Sequence, residues 1–224
     1  MPYTQKRSRQ LMLLPILGLV LASCQDLEVT NPNLPDAQRA TQQPTATETF
    51  VATSFRTWWP VAGHDDYPSW AFSTMANEVT SGFADFGQLE LSAQPRGAWN
   101  NSPVNARRFV SEDPWYGLSR TISSVNDALR AINGGLLIVD SSRTARTKAV
   151  GKFMQGLSHG YLGLYFDKAF IVDERTLLDT IADPQFATYQ EMNAAAIAQI
   201  DSAIAIANRS NFTLPVDSWL YTPL

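Results

Sequence analysis

The stretch DPWYGLSRTISSVNDALRAINGG, residues 113–135, carries the most regular helical pattern in the chain. Its large apolar residues recur every three or four positions, which is the spacing of one helix face. They are Trp115, Leu118, Ile122, Val125, Leu129 and Ile132. The Asp-Pro pair before Trp115 suits a helix start, and the Gly-Gly pair after Asn133 suits its end. The pattern therefore predicts a helix over residues 115–132.

Further segments on both sides of this stretch also show helical periodicity. They cover residues 142–166 and 189–208 downstream and residues 48–58 and 70–79 upstream. Residues 82–114 contain Gly, Pro and Asn clusters without a sustained period, which predicts a long loop. No alternating strand pattern competes with the helices, apart from a short apolar run at residues 136–139. We therefore predict an all-α body of stacked helix pairs with long N-terminal loops. It would be similar to tetratricopeptide repeats, although no repeat signature recurs cleanly.

Three glycines lie close to one line along the predicted helix over residues 142–166. They are Gly156, Gly160 and Gly163. A glycine inside a helix costs about 1 kcal/mol relative to alanine, so some gain elsewhere is expected to compensate. The expected compensation is the close approach of a neighbouring helix backbone.

The N-terminal residues have the features of an export signal. Basic residues at positions 6, 7 and 9 precede an apolar run over residues 11–21, which is too short to span a bilayer. The run leads into Leu-Ala-Ser-Cys, residues 21–24, which resembles the bacterial lipobox. We predict that residues 1–23 are a lipoprotein signal peptide and that Cys24 is the lipid-bearing first residue of the mature protein. The alternative is an ordinary signal peptide. Because Cys24 is the only cysteine and has no intramolecular disulfide partner, lipidation is favoured.

Residues 24–47 are rich in Pro, Gln, Thr and Asn, which predicts a flexible, lipid-anchored tether. The folded helical domain is then expected to cover residues 48–224. Removal of the signal would take three of the 17 basic residues and none of the 21 acidic residues, leaving a net charge of −7. An acidic surface argues against nucleic acid and anionic lipid headgroups as partners, so the acyl chains are expected to provide the membrane attachment.

No metal-ligand or phosphate-binding motif points to catalysis. The sequence has no HExxH motif, no CxxC pair and no phosphate-binding glycine loop. His64-Asp65-Asp66 is the one cluster of a histidine with acidic neighbours, and it supplies too few ligands for a metal site. We therefore predict that the protein is not an enzyme and that it needs no metal or cofactor.

Aromatic residues in the N-terminal half are the candidates for ligand binding. Trp58, Trp59, Tyr67, Trp70 and Trp99 lie in or beside predicted loops, among Asn, Asp and Gln residues. Flat aromatic faces beside planar hydrogen-bonding groups suit sugar rings, which stack through their C–H faces and need partners for their hydroxyls. The alternative for Trp58 and Trp70 is a place in the core, whereas Trp59 and Trp99 are better surface candidates.

The order of these features resembles the N-terminal part of the SusD/RagB family of nutrient-uptake outer-membrane lipoproteins. The resemblance is carried by the lipobox, the polar segment 26–32, the helical segments 115–118, 122–129, 149–166 and 189–207, and residues 212–215 with Trp219. Residues 165–170 depart from the family's Phe-Gly-Asp-x-Pro loop, because they lack its Gly and Pro. Members of the family are also longer, so we expect the chain to be C-terminally truncated.

The resemblance implies a SusD-like fold of tetratricopeptide-like helix pairs and a non-enzymatic role on the outer face of the outer membrane. Members of the family bind glycans or other nutrients and deliver them to a TonB-dependent, SusC-like transporter barrel. The same role, partner and location are expected for this chain. The alternative is a lipid-anchored helical-repeat scaffold for protein–protein interaction in the envelope, with no small-molecule ligand.

Overall fold

The computed structural model describes residues 40–64, 68–82, 87–177, 181 and 183–220. The helices in these ranges are α1 (Pro44–Ala52), α2 (Ser54–Trp59), α3 (Ser69–Met75), α4 (Gln88–Ser92), α5 (Phe109–Asn133), α6 (Ser141–Tyr165), α7 (Tyr189–Arg209) and α8 (Val216–Trp219), with a π-helical turn over Pro60–His64. The strand structure in the same ranges is one antiparallel pair, β1 (Lys168–Ala169) with β2 (Ala187–Thr188). The all-α class predicted from the sequence is confirmed.

The central helix α5 buries its predicted apolar face but begins earlier than predicted. It starts at Phe109 rather than at position 115, so Pro114 lies inside the helix instead of opening it. A proline there removes one backbone hydrogen bond. Burial of Val110 and of Pro114 itself offsets that loss by removing apolar surface from water.

The bounds of the N-terminal helices also differ from the predicted ones. α3 ends at Met75, before the predicted position 79, because the chain enters the left-handed region at Asn77. The segment 82–114, predicted as one loop, contains α4 and the first residues of α5. Short helices without an extended apolar period leave little signal in the sequence.

The start of the folded body is earlier than the predicted boundary at residue 48. α1 begins at Pro44, where a proline suits the first helical turn, and Thr47 is fully buried. The Thr47 hydroxyl donates to the carbonyl oxygen of Thr41 at 3.1 Å. Residues 44–47 therefore belong to the helical body rather than to the tether.

The three long helices pack in sequence order as antiparallel neighbours. On the α5–α6 side, Leu129 lies against Gly151, and Gln155 is hydrogen-bonded to Asn126. Later residues of α6 thus contact earlier residues of α5, so the two helices are antiparallel. Stacking of such pairs in the manner of tetratricopeptide repeats stays a prediction.

The glycines of α6 allow α7 to approach closely. A Cβ atom at Gly156 would lie 2.8 Å from the Ala196 carbonyl oxygen and 2.7 Å from Cγ1 of Ile200. A Cβ atom at Gly163 would lie 3.0 Å from that of Met192. The predicted close approach of a neighbouring helix backbone is confirmed at Gly156 and Gly163, whereas a Cβ atom at Gly160 would make only an ordinary van der Waals contact.

The N-terminal helices complete the core against α5 and α6. The buried cluster is formed by Val51, Trp58, Ala62, Leu118, Ile122, Val125, Ala128, Val150, Met154, Leu162, Ala169, Met192 and Trp219. Burial of this apolar surface supplies most of the favourable free energy of folding.

A buried carboxylate ties α1 to the start of α6. Glu48 is 7% exposed and forms ion pairs with Arg143 and Arg146. Burial acts to raise the pKa of Glu48, but the hydrogen bonds and charges of the two arginines outweigh it and hold the pKa below its ordinary value. Arg146 also donates to the Thr213 carbonyl and lies over the ring of Trp219 at 4.8 Å, so the C-terminal segment is fixed to the same cluster.

Candidate ligand-binding cleft

Trp58 and Trp59, two of the predicted ligand-binding residues, are neighbours with different surroundings. Trp58 is 3% exposed and packs edge-on against Tyr161, with ring centroids 4.9 Å apart. No face of its indole is open to a ligand, so the prediction for Trp58 is wrong and its alternative as a core residue is correct. Trp59 is half-buried beside Phe55, at 5.7 Å between centroids.

The remaining predicted residues follow that pair in the sequence. Trp70 is 44% exposed on α3. Trp99 is half-buried, and its Nε1 donates to the hydroxyl of Ser111 at 3.2 Å. For Trp59, Trp70 and Trp99, ligand binding stays a prediction. Tyr67 and Cys24 lie outside the described residues, as does the acidic pair that follows His64.

A large cleft lies along α5. Its volume is about 1230 Å³. One wall is α5 itself and the other is the chain after α6. Residues 169–177, here called the wall segment, form most of the second wall, and Thr41 and Gln42 also contribute. The α5 side is lined by Trp115, Ser119, Ile122, Ser123, Asn126, Asp127, Arg130 and Ala131. From Trp115 to Arg130 the helix rises about 22 Å, long enough for an extended ligand.

One end of the cleft is aromatic. Trp115 meets Phe166 edge-on at 5.0 Å and lies 6.4 Å from Phe170. Phe170 in turn stacks on Phe186 at 4.2 Å. Trp115 and Phe170 both line the cleft, so this end offers apolar ring surface to a ligand.

The other end of the cleft is polar and carries both a donor and an acceptor. Nη1 of Arg130 donates to Oδ1 of Asp127 at 2.9 Å, and the two side chains are 44% and 35% exposed. Arg130 also reaches the wall segment, where it donates to the carbonyl oxygens of Glu174 at 3.2 Å and Thr176 at 3.3 Å. The pair can therefore present N–H donors and a carboxylate acceptor to the hydroxyls of a ligand.

Beneath the cleft, His159 of α6 anchors the wall segment. The N–H of Val172 donates to Nε2 of His159 at 3.3 Å, and the carbonyl of Val172 accepts from Asn126 at 3.0 Å. His159 is fully buried, and its Nδ1 lies 2.9 Å from both the Gln155 carbonyl and Oε1 of Gln199. Burial lowers the pKa of His159, although these hydrogen bonds oppose the shift.

A buried ion pair forms the second anchor of the wall segment. Nζ of Lys152 donates to Oε2 of Glu174 at 2.7 Å, and Gln155 donates to the same oxygen at 3.1 Å. Burial acts to raise the pKa of Glu174, but the hydrogen bonds from Lys152 and Gln155 outweigh it and lower the pKa. Glu174 is therefore held as a carboxylate within the protein.

Residues 156–160, GLSHG, match the G-x-S-x-G spacing of serine hydrolases, a motif that sequence reasoning missed. In that motif the serine stands exposed on a sharp turn between a strand and a helix. Here Ser158 is fully buried in the middle of α6. Gly156 serves the close packing against α7, so the match is one of spacing and not of geometry.

Sequence reasoning also missed the cleft, although one signal was present. Ser119, Ser123, Asn126 and Arg130 follow each other at steps of four, three and four, so they form a polar stripe beside the apolar face of α5. A polar stripe of this kind is also typical of an ordinary solvent-exposed helix face. The second wall comes from residues without a regular period, so the cleft itself is visible only in the structure.

Comparison with known proteins finds no matching family model, no matching curated protein and no matching solved structure. None of the helices in the described part of the chain has both the length and the apolar character needed to cross a bilayer. Among the same residues, no group of three or more His, Cys, Asp or Glu side chains is placed to hold a metal ion.

Proposed function

We propose that this protein is a lipid-anchored protein of the outer-membrane surface that binds a glycan or another nutrient and delivers it to a TonB-dependent transporter barrel. The observation that carries the ligand-binding part is the cleft along α5, with rings at one end and the Asp127–Arg130 pair at the other. The lipobox at Cys24 and the resemblance to the SusD/RagB family support the location and the partner.

The chemistry of the cleft suits a carbohydrate. A sugar ring has apolar C–H faces, which stack on aromatic side chains, and hydroxyls that both donate and accept hydrogen bonds. Trp115 and Phe170 supply the first kind of contact. Ser123, Asp127 and Arg130 supply the second. The cleft is long enough for several sugar units, so an oligosaccharide is a better fit than a single sugar.

Filling the cleft is expected to abolish binding. Ser123 is exposed on the cleft side of α5, so Ser123→Trp places an indole in the cleft without disturbing the core. We expect at least a tenfold loss of affinity for those members of a panel of neutral and acidic oligosaccharides that bind the wild type. Calorimetry measures the affinity.

The matched control is Ser202→Trp, which makes the same change at an exposed serine of α7. It is expected to bind as the wild type does. Trp59→Ala and Trp99→Ala test the residues predicted from the sequence. If they abolish binding while Ser123→Trp leaves it intact, the ligand binds at those residues and not in the cleft.

Lipid attachment at Cys24 is open to a direct test. Cys24→Ala removes the only thiol, so it should abolish palmitate labelling and leave the protein unprocessed or released from the membrane. Ser23→Ala is the control, because it keeps the thiol and brings the lipobox closer to the usual pattern. Labelling that persists in Cys24→Ala would show that the lipid is attached elsewhere.

The second candidate function, an envelope scaffold without a small ligand, is favoured by the outer face of α7. Ile197 is 62% exposed and Ile204 is 52% exposed on that helix. Exposed apolar residues on one helix face are typical of a protein-binding surface. Affinity purification from the native envelope separates the two functions. A barrel partner together with oligosaccharide binding supports the first, whereas a protein partner lost in Ile197→Asp and no oligosaccharide binding supports the second.

A further inference from the structure

The wall segment is held on the helices by apolar packing of Ala169 and Val172 and by a set of polar contacts, while two of its larger apolar side chains face outward. Ile171 and Leu177 are 39% and 59% exposed. The polar contacts are the hydrogen bonds of Val172 to His159 and Asn126, those of Arg130, and the Lys152–Glu174 ion pair. Between Val172 and Thr176 the position of the second wall of the cleft therefore depends on hydrogen bonds and charge in addition to packing.

The ion pair is largely removed from water. The side chain of Glu174 is 2% exposed and that of Lys152 is 13% exposed. Taking two charges out of water costs several kcal/mol per ion, and a well-packed apolar pair at such a position is often equally stable or more stable. A charged pair instead restricts the segment to the one arrangement in which both charges are satisfied. Its contribution is thus expected to lie in position more than in global stability.

Arg130 connects this anchor to the cleft. Its Nε donates to the backbone carbonyl of Glu174, and its Nη1 donates to Asp127 in the cleft. A change in the position of Glu174 therefore moves the acceptor that orients the guanidinium. The donor and acceptor that a ligand meets are then displaced as well.

We propose that Lys152 and Glu174 are positioning residues of the cleft. Their ion pair fixes the wall segment, and through Arg130 it fixes the Asp127–Arg130 pair that meets the ligand. The proposal rests on the proposed function for the ligand, while the positioning itself can be measured without one.

The test is hydrogen exchange followed by NMR in the purified protein, at two sites. They are the backbone N–H of Val172 and the Nε–H of Arg130. In Glu174→Gln and in Lys152→Met, exchange at both sites is expected to be at least tenfold faster than in the wild type. In the double variant, exchange should be no faster than in the faster single variant, because both changes remove the same interaction. Glu112→Gln, which removes an exposed ion pair from α5, should leave both rates unchanged.

Three results would overturn the proposal. The first is an unchanged exchange rate at both sites. The second is faster exchange spread evenly through the backbone of α5 and α6, which would indicate a general loss of stability. The third is wild-type oligosaccharide affinity in Glu174→Gln despite faster exchange in the segment. If the wild type binds no oligosaccharide, the proposed function fails, while the exchange rates still decide whether the ion pair positions the segment.

Discussion

Replacing Gly156 with alanine is expected to lower the free energy of unfolding by about 2 kcal/mol, within the range for an overpacked core. The added methyl would lie 2.8 Å from the backbone oxygen of Ala196 on α7. A backbone atom can yield only if the whole helix moves, so the close contact between α6 and α7 is lost. The gain of about 1 kcal/mol in helix propensity from glycine to alanine opposes this effect but does not cancel it. Urea denaturation measures the difference.

Gly160, one turn further along α6, is the matched control. A Cβ atom there would lie 3.6 Å from Cβ of Ala196, which is an ordinary van der Waals distance. Gly160→Ala should therefore raise the free energy of unfolding by up to about 1 kcal/mol through helix propensity alone. If both variants are stabilised equally, α6 and α7 do not approach each other as closely as described.

Replacing Glu48 with alanine is expected to cost about 3 kcal/mol at neutral pH, as for other broken buried ion pairs. The Glu48 side chain is 9% exposed, and that of its partner Arg146 is 14% exposed. Removing the carboxylate leaves the buried guanidinium without its counter-ion. It also removes the link between α1 and α6. Thermal or urea denaturation measures the loss.

The control for Glu48 is Glu112, whose ion pair with Arg108 is exposed on both sides. Glu112→Ala should change stability by less than about 0.5 kcal/mol.

Because the pKa of Glu48 is lower in the folded protein than its ordinary value of 4.5, the unfolded chain binds the proton first on acidification. The contribution of Glu48 to stability is therefore fully present above about pH 4.5 and is lost as the pH falls from there through the lower pKa of the folded state. If Glu48→Ala loses as much stability below about pH 4.5 as the wild type does, groups other than Glu48 cause the acid sensitivity.

The long helices could be predicted from the sequence because they bury one regular face. α5, α6 and α7 each carry small or apolar residues every three or four positions, and burial of that face determines the conformation. The early start of α5 could not be predicted, because Pro114 is a strong local signal for a helix start. Its effect is outweighed by tertiary burial of Val110 and Pro114, which no local pattern reveals.

The ligand-binding candidates show a different limit of sequence reasoning. Tryptophan suits both a core and a sugar-binding surface, so its presence in a loop-rich region does not distinguish the two. Trp58 is in the core, whereas Trp115, which the sequence pattern assigns to the apolar helix face, lines the cleft. The anchors of the wall segment also join residues far apart in sequence, such as Asn126 and Val172. Pairings of that kind have no signature in a single sequence.

The hydrogen bonds of His159 determine where its single proton lies. Because Nε2 accepts from the N–H of Val172, the neutral imidazole must carry its hydrogen on Nδ1, where it faces the Gln155 carbonyl and Oε1 of Gln199. The other tautomer would set two N–H groups against each other at Val172, and so would the doubly protonated ring. The wall segment can therefore keep this position only while Nε2 of His159 carries no proton.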